Sequence, residues 1–260
     1  MNIISIDLPW EEKRKGRRAI VVAGLDRHIE VCQATDDAEL GRLARVSFEP
    51  GSIILLDIPI DGTDTLRGQH FRPVDRALSR QTLPALPVSR AGNRGRRLRA
   101  ALRRDNNGCR VYEMYPYAVY KFLSYLQQRK LLHCLNDNRF DTLLDNSFYR
   151  YWPPKYKREK RREQRVKNLR HVYSLLTDGN LGLRFTRPLP GPDAPVNPDH
   201  LADGYDACLG AVVGIYLAKR SRYTGIFGDS KSGSILLFID RWLAEQLGKD
   251  IAVNQVEQRS

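Results

Sequence analysis

Three acidic residues each follow an apolar segment that a proline then ends. They are Asp7 in Asp7-Leu-Pro, Asp57 in Asp57-Ile-Pro and Glu113 in Glu113-Met-Tyr-Pro. Short apolar runs of this kind predict buried strands, so each acid stands at the carboxyl end of a strand. If the strands are parallel neighbours, the acids meet at the edge where open α/β sheets bind ligands.

A pair of acids three residues apart, Asp203 and Asp206, begins a long apolar segment. On a helix this spacing puts both carboxylates on one face. Converging carboxylates raise one another's pKa unless a cation neutralises them, and oxygen ligands suit Mg²⁺ or Mn²⁺ rather than zinc. We predict catalytic roles for all five acids. The predicted metal ligands, gathered within roughly 10 Å, are Asp7, Asp57, Glu113 and Asp206.

Each acid also has a simpler interpretation. Asp7 and Asp57 are of a type that commonly starts a turn before proline. Asp203 is suited to the first turn of a helix, where it complements the helix dipole. The five acids together support the metal hypothesis more strongly than any one acid does alone.

Positive charge is concentrated in two blocks of a chain whose net charge is +13. Residues 90–104 contain seven arginines and no acid, and residues 155–170 contain nine basic residues and two acids, so the remainder is near neutral. Such blocks attract a polyanion, and the aromatic residues Tyr151, Trp152 and Tyr156 offer surfaces for base stacking. The alternative is a solvated helix face. The predicted nucleic-acid contacts are Arg94, Arg96, Arg97, Arg99, Lys155, Lys157, Arg161, Arg162 and Arg165.

The pattern of apolar residues predicts strands followed by alternating strands and helices, which indicates a mixed α/β sheet. Residues 61–107, rich in Gly, Pro and Arg, are predicted to be irregular apart from a short helical pattern at 73–79. A last apolar segment is predicted over 234–246. The predicted strands are 3–7, 18–23, 28–34, 52–57 and 110–113, and the predicted helices are 117–132, 157–176 and 200–220.

Length and composition favour a cytoplasmic globular chain of 260 residues. We expect no membrane segment, because no apolar run approaches roughly 20 residues, and the first residues do not have the pattern of a signal peptide. The four cysteines are widely spaced, which predicts neither a zinc site nor a disulfide framework.

The ordered motifs resemble a family of predicted nucleases of RNase H-like fold, catalogued as a domain of unknown function and distantly related to the RuvC-type resolvases. The matching segments, which span nearly the whole chain, are Ile-Ser-Ile-Asp7-Leu-Pro-Trp, Leu-Leu-Asp57-Ile-Pro-Ile, Arg72-Pro-Val-Asp75-Arg, Val-Tyr-Glu113-Met-Tyr-Pro, Asp203-Gly-Tyr-Asp206-Ala and Phe-Gly228-Asp-Ser-Lys-Ser-Gly233. Where the family has Glu-x-His-Pro-Glu, this chain has Tyr115 and Tyr117 in place of the histidine and the second acid.

The resemblance implies one RNase H-like domain over residues 1–260, a mixed five-stranded sheet flanked by helices. Its first three strands are antiparallel, and the fourth and fifth are parallel to the first. Asp7 would lie on the first strand, Asp57 on the fourth, and Asp203 and Asp206 on the last helix. Residues 61–108 would form an irregular Arg-rich insertion and residues 133–175 a basic helical insertion.

Three functions follow as hypotheses. The first is a Mg²⁺- or Mn²⁺-dependent nuclease that acts on DNA or RNA. The second is a nucleic-acid-binding module that keeps the fold without the chemistry. The third, an ATPase of the sugar-kinase or actin type, needs a glycine-rich phosphate loop after the first acid, and Asp7-Leu-Pro-Trp has no glycine there.

Overall fold

The structure is a computed structural model of the whole chain. It describes residues 1–9, 18–34, 36–61, 70–83, 93–105, 108–137, 139–157, 159–231, 233–249 and 253–254.

The main sheet is mixed and has six strands among the described residues: β1 (Ile3–Asp7), β2 (Arg18–Ala23), β3 (His28–Ala34), β4 (Ile53–Leu56), β5 (Arg110–Glu113) and β6 (Arg184–Phe185). Their order in the sheet is β5-β4-β1-β2-β3-β6. Strands β1, β2 and β3 are antiparallel neighbours, whereas β4 is parallel to β1, β5 is parallel to β4, and β6 is parallel to β3.

A second, antiparallel sheet has the order β8-β7-β9, and a single parallel bridge from Met114 to Leu236 joins it to the end of β5. Its strands are β7 (Thr224–Asp229), β8 (Gly233–Phe238) and β9 (Val253–Asn254). The helices are α1 (Asp37–Val46), α2 (Pro73–Arg80), α3 (Arg94–Asp105), α4 (Pro116–Gln128), α5 (Ser147–Arg150), α6 (Arg162–Leu176), α7 (Pro198–Ala218) and α8 (Arg241–Gly248), with a 3-10 helix over Leu132–Asn136.

Helices cover both faces of the main sheet, and strand residues alternate between the two cores. Ile3, Ile53 and Leu55 belong to the core that includes α2, α4, α6 and α7. Ile4 and Leu56 belong to the other core, where α1 and α3 pack. Because side chains alternate along a strand, Asp7 faces the same side as Ile3, toward α7.

Helix α7 lies unusually close to β1 because the two residues that face this strand most closely, Gly210 and Gly214, are glycines. It begins at Pro198, a favoured first residue, and the Asn197 side chain caps it by accepting a hydrogen bond from the Asp199 amide. A Cβ atom at Gly210 would lie 2.1 Å from Ser5 Oγ, and one at Gly214 would lie 2.5 Å from Ile3 Cγ2. This close approach packs the C-terminal half of α7 against β1 and leaves Asp206, one turn before Gly210, toward the Asp7 end of the strand.

We expect Gly210→Ala to destabilise the protein by about 2 kcal/mol, since the new methyl group overpacks the contact with Ser5. Gly204→Ala in the same helix is the matched control, because its Cβ would have only Val31 Cγ1 nearby, at 3.9 Å. That change should be neutral or stabilise by up to about 1 kcal/mol through helix propensity. Urea denaturation of both variants measures the difference, and equal midpoints would contradict the close approach.

The expected α/β class is confirmed, with corrections to its details. The main sheet has six strands rather than five, since the two-residue β6 adds to the edge of β3. Residues 94–105, expected to be irregular, form α3, whose Leu98 and Leu102 pack on the sheet. The helix expected from residue 157 begins at Arg162, and the last apolar segment divides into β8 and α8.

The expectation that no segment is long and apolar enough to cross a membrane is wrong for α7. This 21-residue helix meets the length and composition of a membrane span, but 89% of its apolar window is buried inside the protein. Its contacts with β1, β2 and β4 make it the central core helix.

Candidate metal centre

Three carboxylates from distant parts of the chain meet at the carboxyl end of the parallel strands. Asp7 ends β1, Asp57 follows β4 directly, and Asp206 lies on α7 one turn before Gly210. The Asp57 amide donates to the Ile6 carbonyl at 3.0 Å, which holds Asp57 beside the end of β1. One oxygen atom from each of the three carboxylates lies within 4.8 Å of the other two.

Two residues of the segment before α6, Tyr156 and Lys157, contact these carboxylates. Lys157 Nζ lies 3.0 Å from Asp7 Oδ2, 2.5 Å from Asp206 Oδ2 and 3.2 Å from Asp203 Oδ1. The buried Tyr156 hydroxyl donates to Asp206 Oδ1. Asp203 therefore lies at the rim, one helical turn from Asp206, and its side chain is 29% exposed.

Burial and mutual repulsion favour the protonated forms of these acids. Burial raises the pKa of Asp7 well above its ordinary value and that of Asp57 to about 7, although Lys157 opposes both shifts. Burial also raises the pKa of Asp206, against the effect of Lys157. Burial lowers the pKa of Lys157, but the attraction of Asp206, Asp7 and the other carboxylates outweighs it, so the pKa is raised well above its ordinary value. A further cation would relieve this repulsion.

These shifts predict that the metal-free protein loses stability as the pH rises. A carboxyl whose pKa is higher in the folded state stabilises the fold most at low pH, and that stability is lost as the pH passes through the folded pKa. For Asp57 the loss begins near the unfolded pKa of about 4 and is complete once the pH has passed the folded pKa of about 7. We expect the melting temperature in EDTA to fall between about pH 4 and pH 7, and Asp57→Asn to reduce that fall.

Glu245→Gln is the control for this measurement, because it removes an exposed acid on α8. Its melting temperature should fall with pH as that of the unmodified protein does. A melting temperature in EDTA that rises over this range, or a fall that Asp57→Asn leaves unchanged, would contradict the assignment.

Glu113 is outside the group of three and belongs to a second buried cluster. The side chains of Arg72, Asp75 and Glu113 are completely buried. Arg72 Nη1 donates to Glu113 Oε2 at 2.8 Å, and Arg72 Nε and Nη2 donate to the two oxygens of Asp75 at 3.0 and 2.9 Å. The Tyr115 hydroxyl donates to Asp75 Oδ1 at 3.0 Å, so Tyr115 adds a further hydrogen bond to this buried cluster.

This Arg72 cluster holds the segment that follows Asp57. The Ile60 amide donates to Glu113 Oε2 at 2.8 Å, and Arg72 Nη1 donates to the Asp61 carbonyl at 2.8 Å. The glycine turn between β7 and β8 covers it, since a Cβ at Gly233 would lie 3.0 Å from Arg72 Cδ. Glu113 therefore affects Asp57 in two ways. It binds the Ile60 amide in the segment that follows Asp57. Its charge also makes a small contribution to the raised pKa of Asp57, which burial raises most.

The predicted nucleic-acid contacts differ in exposure. Arg94 is buried and donates to the Pro9 carbonyl, whereas Arg99, which pairs with Asp61 at 2.6 Å, and Arg165, which pairs with Asp199, are partly buried. Lys157 is exposed at one side and pairs with the carboxylates above. The remaining contacts, also exposed, are Arg96, Arg97, Lys155, Arg161 and Arg162. Arg90 and Arg158 of the two basic blocks lie outside the described residues.

Of the three aromatic residues expected to stack on bases, only Trp152 is well exposed, at 50%. Tyr156 is buried, and Tyr151 is partly buried with its hydroxyl 2.5 Å from Ser124 Oγ. Lys121 Nζ lies 4.3 Å from the Trp152 ring centre, so the ring already has one cation partner.

Sequence reasoning missed the polar partners of the acids. Lys157 was predicted to contact phosphate and Tyr156 to contact a base, but both contact the carboxylates. The Arg72-Pro-Val-Asp75 segment enters the sequence analysis only through the resemblance, with no role predicted for Arg72 or Asp75. The spacing of Arg72 and Asp75, three residues apart, could have predicted an ion pair on one helix face. The contact of Arg72 with Glu113 could not have been predicted in this way, because the two residues are 41 positions apart.

A comparison of the chain with known proteins finds no matching family model, no similar curated protein and no similar solved structure. The resemblance to the RNase H-like nucleases therefore remains an interpretation of the motifs.

Proposed function

We propose that this protein is a metal-dependent nuclease that hydrolyses phosphodiester bonds of DNA or RNA at a carboxylate-bound Mg²⁺ or Mn²⁺ site. The observation that carries the proposal is the meeting of Asp7, Asp57 and Asp206 oxygens within 4.8 Å at the carboxyl edge of parallel strands. Ligands of open α/β sheets bind at such edges.

The sheet supports the RNase H-like part of the proposal. The pairing of β1 to β5, with three antiparallel strands followed by two parallel to β1, is the arrangement that the resemblance implies. Asp7 lies on β1, as expected for such a site. Asp57 directly follows β4 and does not lie on it, and Asp203 and Asp206 lie on α7, which is not the last helix because α8 follows it. The short β6 is an addition at the far edge of the sheet.

The donor set fits a hard divalent cation. Mg²⁺ binds carboxylate oxygens at about 2.0–2.1 Å, so two ligands of one ion lie up to about 4.2 Å apart, close to the spacing of these oxygens. Repulsion among the carboxylates contributes to the raised pKa of each acid, after the larger effect of burial, and a divalent cation would relieve this repulsion in place of a proton. A metal held by these residues would supply the activation of a water molecule and the stabilisation of the leaving oxygen of a phosphodiester.

We assign different roles in the site to the five acidic residues. Asp7, Asp57 and Asp206 hold the metal, and Asp203 at the rim assists by orienting water or substrate. Glu113, expected to be a ligand, is assigned a positioning role, because its two oxygens are bound by Arg72 and the Ile60 amide.

Two basic surfaces border the site and support nucleic acid as the substrate. Helix α3 is anchored beside the segment after Asp57, since a Cβ at Gly95 would lie only 2.0 Å from the Pro59 carbonyl and Arg99 pairs with Asp61. Helix α6, which carries the last part of the second basic block, begins five residues after Lys157. A nucleic-acid strand bound at the site would have basic residues near its phosphates on both sides of the cleaved bond.

We expect replacement of both Arg96 and Arg97 by Gln to weaken nucleic-acid binding and flatten its salt dependence. Each phosphate contact contributes about 0.9 to the slope of log K against log salt on duplex DNA, so the slope should fall by up to about 2. The charge-matched control replaces Arg241 and Lys249 on α8 by Gln. Fluorescence anisotropy over a salt series measures both, and an unchanged slope would remove α3 from the binding surface.

The second candidate is a nucleic-acid-binding module without catalysis, and one observation favours it. Lys157 already neutralises part of the carboxylate group, which gives the acids a structural partner that needs no metal. A binder would require the exposed basic residues and tolerate the loss of Asp7.

Cleavage assays distinguish the two candidates. Labelled single-stranded, duplex and branched DNA and RNA are incubated with the protein in Mn²⁺, in Mg²⁺ and in EDTA. The nuclease predicts cleavage of at least one substrate that EDTA abolishes and that Asp7→Asn lacks. Binding without cleavage of any substrate would favour the module.

A further inference from the structure

The Lys157 ammonium lies among the same carboxylates that are proposed to hold the metal. It contacts Asp7, Asp203 and Asp206 at 3.0, 3.2 and 2.5 Å, and two of these acids are proposed ligands. Asp7 Oδ2 and Asp206 Oδ2 each face this single cation. A divalent ion bonded to the same oxygens would have a like charge as its immediate neighbour, and the two cations would repel each other.

The position of Lys157 allows its side chain to move away from the carboxylates. Residues 151–157 form neither helix nor strand, and the Lys157 side chain is 36% exposed, whereas Asp7 and Asp206 are 6% and 5% exposed. Lys157 thus approaches the acids from the solvent side. Withdrawal of its side chain requires no change in β1 or α7, the elements that hold the acids.

We infer that Lys157 is a built-in counter-ion, which holds the acidic group together in the metal-free protein and which a divalent metal displaces. The inference rests on the proposed metal site. Its consequence is that metal must compete with the lysine, so metal affinity is lower than the three acids alone would give. The released ammonium then joins the exposed basic residues at the rim of the site.

The first test is Mn²⁺ binding measured by calorimetry on metal-free protein. We expect Lys157→Met to bind Mn²⁺ about tenfold more tightly than the unmodified protein, because the competing state is removed. Lys249→Met, which removes an exposed lysine at the end of α8, is the matched control and should bind as the unmodified protein does. Equal affinity of Lys157→Met and the control would overturn the inference.

A second test separates displacement from the simple loss of a nearby charge and needs no variant. The unmodified protein is treated with an amine-acylating reagent with and without saturating Mn²⁺, and labelling of each lysine is measured by peptide mass spectrometry. We expect labelling of Lys157 to rise several-fold with Mn²⁺ while that of Lys249 stays constant. Calorimetric Mn²⁺ binding with unchanged or reduced labelling of Lys157 would overturn the inference and leave the metal site intact. Absence of Mn²⁺ binding would overturn the inference together with the proposed metal-dependent function.

Discussion

Asp7→Asn is expected to lose metal binding and at least about 100-fold of the cleavage rate while it still binds nucleic acid. Asparagine keeps the shape of the side chain but removes the charge that would face the proposed metal. A metal ion contributes several kcal/mol of transition-state stabilisation, and about 1.4 kcal/mol corresponds to a tenfold change in rate. Nucleic-acid affinity should be unchanged or slightly higher, since a carboxylate that repels phosphate is gone.

Cleavage, Mn²⁺ binding and anisotropy are measured on the same preparation of Asp7→Asn, with thermal melting in EDTA as the folding control. The variant should fold, because burial raises the pKa of Asp7 and a neutral side chain is tolerated at that position. Glu245→Gln, which removes an exposed acid from α8, should retain all three properties. A folded Asp7→Asn protein that cleaves at the normal rate would exclude Asp7 as a ligand.

The alternation and length of apolar runs were sufficient to predict most of the sheet. Strands β1, β2, β3 and β5 have the bounds that the sequence predicts, because buried strands flanked by turn residues have a clear local pattern. Helix α3 was missed since its composition, seven charged residues among twelve with one glycine, has a weak apolar face. Its Leu98 and Leu102 and the contact of Gly95 with Pro59 stabilise it, and those are tertiary contacts.

The candidate site was predictable in its acids but not in their partners. The end of a strand is a local feature, so Asp7 and Asp57 could be placed at one edge of the sheet. Which acids converge depends on cations that are distant in sequence. Arg72 draws Glu113 into a separate buried cluster, and Lys157 reaches Asp7 from 150 positions away.

The Arg72 cluster makes the strongest prediction about stability. Arg72 is wholly buried between Asp75 and Glu113, and it is the cation that holds these two carboxylates. Burial raises the pKa of Glu113, while the charge and hydrogen bonds of Arg72 oppose that shift. Removal of one partner of a buried ion pair costs about 3–5 kcal/mol, because a charge is left without compensation. We therefore expect Arg72→Met to lose at least that much stability and to unfold at a markedly lower urea concentration.

A triple variant, Arg72→Met with Asp75→Asn and Glu113→Gln, tests the cause of that loss. If uncompensated negative charge is responsible, neutral amides in place of both carboxylates should recover part of the stability, so that the triple variant is more stable than Arg72→Met alone. If the loss came only from the missing hydrogen bonds and volume of Arg72, the two further changes would add to it. Urea denaturation midpoints at pH 8, with Arg241→Met on the exposed face of α8 as the control, decide between these outcomes. A triple variant less stable than Arg72→Met would show that the cluster is held by hydrogen bonds whose geometry matters more than its charge balance.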